Sequence, residues 1–128
     1  MYEPIRTKSV HSMADQAQYP HRSREEELDI QLAGHLAALL AVTDELGLDT
    51  AADAIATQVS RLRGAPPARH AALTHADPAA LHQRAHALAG RALVVAASRA
   101  DTAAAILAAE RMDAHTAALR DTQLIGAP

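Results

Sequence analysis

The chain contains no cysteine, no phenylalanine and no tryptophan. The absence of thiols excludes disulfides, thiolate metal sites and a cysteine nucleophile. Both tyrosines, Tyr2 and Tyr19, lie in the first twenty residues, so the rest of the chain has no tyrosine, tryptophan or phenylalanine ring to stack on a nucleic-acid base. The five glycines are isolated, which rules out a glycine-rich loop wrapped around a phosphate. Long apolar runs are missing too: "ALVVAA" and "AAAILAA" are far shorter than a membrane span. No basic and apolar leader stands at the N-terminus, and the expectation is a cytoplasmic protein with no membrane partner.

Alanine is abundant, making up about a quarter of the chain, and eleven arginines stand against one lysine, a bias that fits GC-rich bacterial coding. Alanine, leucine and arginine are strong helix formers, and β-branched residues are sparse. A chain of 128 residues makes one domain. It can bury about twenty large apolar side chains, enough to fold without staples. The fold class expected is all-α.

Residues 1–22 carry two prolines and no helical periodicity, and read as a flexible N-terminal tail. Within them "RTKS" (Arg6 to Ser9) resembles a basic-directed phosphorylation site. Residues 23–128 read as a single helical domain. "SREE" is a capping box that starts a first helix at Ser23, with Glu25, Glu26 and Glu27 at the positive end of its dipole. Leu28, Leu32, Leu36, Leu39, Leu40 and Leu46 form its apolar stripe, and Gly47 stops it. A second helix opens at Asp49-Thr50 with a further capping box to Asp53, carries Ile55, Val59 and Leu62, and ends at Gly64 before Pro66-Pro67. Residues 65–77 connect, with a short helical turn expected from Ala68 to Leu73. Asp77-Pro78 is a cap followed by proline in the first helical position, and Leu81, Ala85, Leu88, Ala92 and Val95 face inward from a third helix.

No glycine or proline marks where that third helix ends. An internal repeat supplies the break. "LDTAADAIA" (Leu48 to Ala56) and "ADTAAAILA" (Ala100 to Ala108) lie 52 positions apart, and Leu36/Leu88, Ala37/Ala89 and Val42/Val94 match at the same offset. The spacing predicts a turn near Ser98 to Asp101 and a fourth helix from about 102 to 121. Two similar helical hairpins then bury their stripes against each other as a four-helix antiparallel bundle. The repeat also resembles a helical-repeat pair of the tetratricopeptide (TPR) type. It departs from that type in its spacing of 52 instead of about 34, in lacking an aromatic at the packing positions, and in lacking the closing proline.

Charge is uneven along the chain. Glu25 to Asp53 hold eight acids and no base, while Arg61 to Arg99 hold six bases and one acid, Asp77. The simplest arrangement has these faces compensating inside the bundle; the other has them meet between two copies as a salt-sensitive homodimer. Arg84 and Arg91 share a helix face, but the patch is small, the chain is acidic overall and no base-stacking aromatic accompanies them, so nucleic acid is not expected as a partner.

Eight histidines are the remaining chemical resource. His82 and His86 lie one helical turn apart in "HQRAH", where Gln83 replaces the glutamate that a zinc peptidase needs. Counted along the predicted helices, with the first running parallel to the third, His35, His86 and His115 fall within a slab of two turns, with His82 and Glu110 near. Three imidazoles and a carboxylate suit zinc or another divalent transition metal. The Glu-x-x-His pairs of bundle metal sites are absent, and no serine–histidine or glycine-loop pattern supports catalysis. The leading expectation is a small interaction or scaffolding protein without catalysis or cofactor, with a protein partner, itself included. A histidine-lined metal- or small-ligand-binding bundle is the alternative.

Overall fold

The computed structural model describes residues 22–126. The tail expectation, with its "RTKS" motif, rests on residues 1–21 and lies outside the described residues. Four helices follow: α1 (Arg24–Glu45), α2 (Asp49–Arg63), α3 (Pro78–Arg99) and α4 (Thr102–Gly126). Among the described residues there is no strand.

Local chemistry sets most of these boundaries. The Ser23 hydroxyl accepts from the Glu26 N–H while the Glu26 carboxylate accepts from the Ser23 N–H, both at 3.1 Å, which closes the expected capping box. Asp77 accepts from the Ala79 N–H, with Pro78 at the first position of α3. Gly47 and Gly64 take left-handed φ values of 74° and 76°, ending α1 and α2. The second capping box does not form. Leu48 is the N-cap of α2 without a side-chain bond, and Asp49 and Thr50 are already helical, so Thr50 is two positions too far in to cap. The chain turns between α3 and α4 through Ala100, whose φ of 59° is left-handed without a glycine. Asp101 then caps α4 by accepting from the Ala104 N–H at 3.2 Å.

The core is leucine on one side and alanine on the other. Leu32, Leu36, Leu39 and Leu40 of α1 meet Ile55 and Val59 of α2, while Ala85, Ala89, Ala92 and Ala96 of α3 meet Ala104 and Ala108 of α4. Small residues let α3 and α4 approach closely: a methyl group added at Gly90 would lie 3.6 Å from Met112 Cε. α1 packs on α2 and α3, α3 packs on α4, and the seam between α2 and α4 is the loosest.

The path between the hairpins fixes helix direction. Arg61 meets Asp101 at 2.7 Å and Arg99 meets Asp29 at 3.0 Å, so the end of α2, the start of α1 and the α3–α4 turn share one end of the bundle. Arg69, His70 and Leu73 bond to Asp44 and Glu45 at the other end. Residues 64–77 therefore run back along the bundle, with no helical turn at Ala68 to Leu73. Their anchor is the Asp44 carboxylate, buried four residues after Leu40. It accepts from Arg69 Nε and Nη2 at 3.0 and 2.8 Å and from the His70 N–H at 2.9 Å. The Arg69 bonds outweigh burial and, with the His70 N–H, hold this carboxyl below the usual carboxylate range. Removing Arg69 would leave the Asp44 charge with the His70 N–H as its one donor and would destabilise the bundle.

All neighbouring helices are thus antiparallel, α1 and α3 included. A solenoid of the tetratricopeptide type stacks equivalent helices through a small rotation, hence parallel. The antiparallel pair makes this a bundle instead.

Candidate functional site

His115 occupies a core position of α4, seven residues after Ala108, and is closed off from solvent. Its Nδ1 lies 2.9 Å from Nδ1 of His82 on α3, with the rings tilted at 50° and their centroids 5.1 Å apart. Its Nε2 lies 3.4 Å from Arg111 Nη2, one turn earlier on α4. These contacts assign the protons. A guanidinium only donates, so His115 Nε2 accepts. The neutral ring then carries its proton on Nδ1 and donates it to His82 Nδ1, which leaves the His82 proton on Nε2. Burial, the Arg111 charge, and His82 and His86 push His115 down to about 4. Burial and Arg111 also lower His82. Both rings are neutral at physiological pH.

Arg111 is half-buried. Burial lowers its proton affinity, and the neighbouring Glu110 opposes that. Its Nε is buried and finds no acceptor among the described residues. A cavity of about 560 Å³ at the α2–α4 seam is lined by Leu48, Asp49, Ala51, Ala54, Leu107, Glu110 and Arg111.

Of the residues expected to share a metal, the structure places His115 beside His82 and His86 nearby on the same side of α4. His35 is elsewhere. The expectation took α1 as parallel to α3; the returning connection makes them antiparallel. With Asp29 paired to Arg99, His35 stands level with Leu93, about 10 Å along the axis from His86. Among the described residues no three His, Cys, Asp or Glu side chains gather to hold a metal ion, so the His35, His86 and His115 set is not assembled. Glu110 is exposed and lines the α2–α4 cavity together with Arg111. Sequence reasoning passed over Arg111, although its spacing of one helical turn from His115 was the available signal.

A second feature faces outward. Val94 is 67% exposed and Ile106 55% exposed. Each sits opposite the buried alanines of its helix, and each lies about 6–8 Å along the axis from the α3–α4 turn. Around them the hairpin surface is Ala87, Gly90, Ala97, Ser98, Thr102 and Ala109, with Asp113 two turns beyond Ile106. Arg91 and Glu110, both exposed, stand at equal heights on its two helices.

Half of the basic residues between Arg61 and Arg99 are spent on internal pairs: Arg61 on Asp101, Arg69 on Asp44 and Asp53, and Arg99 on Asp29. Arg69 and Arg99 thus pair with Asp29, Asp44 and Asp53 of the acidic stretch, so the two charged stretches compensate within the bundle in part. No helix among the described residues is long and apolar enough to cross a membrane. Compared with protein-family models, curated proteins and solved structures, the chain matches none.

Proposed function

We propose that this protein is a cytoplasmic interaction module that acts by helix-face docking, not catalysis, and that its first partner is a second copy of itself. The observation that carries the reading is the outward face of the α3–α4 hairpin, where Val94 and Ile106 stand exposed at one height in a field of small residues. Exposed large side chains scattered singly need no explanation, whereas two on adjacent helices at one level form a patch.

The patch suits self-association. In a two-fold dimer with its axis along the helices, α3 of one copy lies antiparallel on α4 of the other. Val94 then meets Ile106 across the interface, and the alanines and Gly90 give room for both. The same operation brings Arg91 of one copy level with Glu110 of the other, so opposite charges rim an apolar centre.

Sedimentation of the full chain across the micromolar range tests this. The expected result is a concentration-dependent monomer–dimer equilibrium that weakens as salt screens the rim. Val94→Glu should give a monomer with unchanged helicity. A wild-type monomer at every concentration would end the self-docking reading.

A further inference from the structure

Ile30 of α1 is 49% exposed, on the other helix pair from Val94 and Ile106. It lines a groove of about 400 Å³ between the first turns of α1 and the last turn of α2. Ala33 and Leu62 add aliphatic surface there, and Glu26 and Arg63 add exposed charges. Asp29, the remaining lining residue, is held by Arg99 at 3.0 Å. An aliphatic bed with charge at hand suits a side chain that is apolar along its body and polar at its tip. The chain enters the bundle at this place. Residues 1–21 join α1 through Arg22 and Ser23, and Ser23 is extended, with φ −65° and ψ 166°. Ile30 lies seven residues past Ser23, about 10 Å along the helix axis. The four steps from Tyr19 to Ser23 span up to about 13 Å. A reversal at Pro20 and His21 brings Tyr19 back over the start of α1, within reach of Ile30.

We infer that the segment of residues 1–21 docks on its own bundle, with the Tyr19 ring seated in this groove against Ile30, Ala33 and Leu62. The hydroxyl of a ring so placed lies toward the charged residues, where it finds a hydrogen-bond partner. Composition favours this occupant. Both tyrosines precede the bundle and the chain has no phenylalanine or tryptophan, so the core is built without a large aromatic ring. The aromatic surface that gains most from cover therefore sits in the segment beside the groove. Charge does not oppose the contact. Arg6 and Lys8 balance Glu3 and Asp15, so the acidic opening of α1, Glu25 to Glu27, does not repel the segment. Attachment supplies the rest: a tether of a few residues holds the ring at high effective concentration, and a shallow groove then suffices.

The absence of tryptophan makes tyrosine fluorescence a direct probe of this contact. In the full chain carrying Tyr2→Phe, Tyr19 is the sole tyrosine emitter. Covering about two-thirds of its ring should lower the acrylamide quenching constant about threefold against a peptide of residues 1–22 with the same change. Ile30→Glu, at an exposed helical position, should keep the helicity of the bundle and lose the protection. Because the contact lies within one chain, the protection should not change with protein concentration and should survive Val94→Glu. A quenching constant equal to that of the peptide, or protection that persists in Ile30→Glu, would overturn the inference. Protection that disappears on dilution would put Tyr19 on a second copy and would overturn the seating within one chain.

Discussion

Among the described residues, His115 and Thr43 are the two polar side chains that the bundle closes over completely, and they satisfy themselves differently. Thr43 donates to the Leu39 carbonyl at 2.7 Å, within its own helix. His115 depends on two other side chains, His82 and Arg111, and its neutrality has a consequence in solution. The unfolded chain takes up a proton on this ring near pH 6.5, whereas the folded protein excludes it until about pH 4. As pH falls through that window the unfolded state binds more protons, so stability falls with it, by on the order of 3 kcal/mol. His82, also lowered, adds to the same loss. Asp44 and Asp101 are held below the carboxylate range, so their contribution is present above it and disappears only at lower pH. Urea unfolding of the wild type should therefore show a midpoint that drops steadily from pH 7 to about pH 4.5. In His115→Leu, which removes the dominant titrating group, the slope should flatten. Equal slopes in the two proteins would refute the buried neutral ring.

The elements show what a sequence carries and what it does not. Caps are local: Ser23 and Glu26, Asp77 and Pro78, and the glycines after α1 and α2 announce themselves within a few residues, and the structure uses each of them. The break after Arg99 was also legible, from the repeat and from Asp101, even though Ala100 takes the left-handed position that glycine usually fills. That position makes a prediction. Ala100→Gly should raise stability by roughly 0.5–1 kcal/mol, because relief of the steric cost at positive φ exceeds the added freedom of the unfolded chain. A lower urea midpoint for the variant would contradict the turn described. Helix direction was not legible. Whether α3 runs with α1 or against it depends on where residues 64–77 are tied, and the tie is the pairing of Asp44 with Arg69, far apart in sequence. Periodicity hinted at it, since Asp44 falls on the apolar stripe four residues after Leu40 and so requires a counter-charge. The same missed direction is why His35 was expected beside His86 and His115, and why His82, one turn from His86, takes that place instead.

At the scale of the whole molecule, charge and apolar surface are separated. Part of the charge asymmetry visible along the chain is resolved in the ion pairs at the two ends of the bundle, whereas the α3–α4 hairpin keeps two large apolar side chains in water between Arg91 and Glu110. In the proposed self-association a second copy covers this pair. The missing cysteine makes the claim open to a clean test, because any thiol in the molecule is an introduced one. Chains carrying Val94→Cys are mixed with chains carrying Ile106→Cys under mild oxidation, alongside a control mixture in which Gln31→Cys, on the exposed side of α1, replaces one partner. A disulfide requires the two Cα atoms to come within about 7 Å, so bond formation reports the docked geometry. The account predicts that the Val94→Cys and Ile106→Cys chains link to each other well ahead of the control. Linkage no faster than the control would show that this face does not meet its own copy.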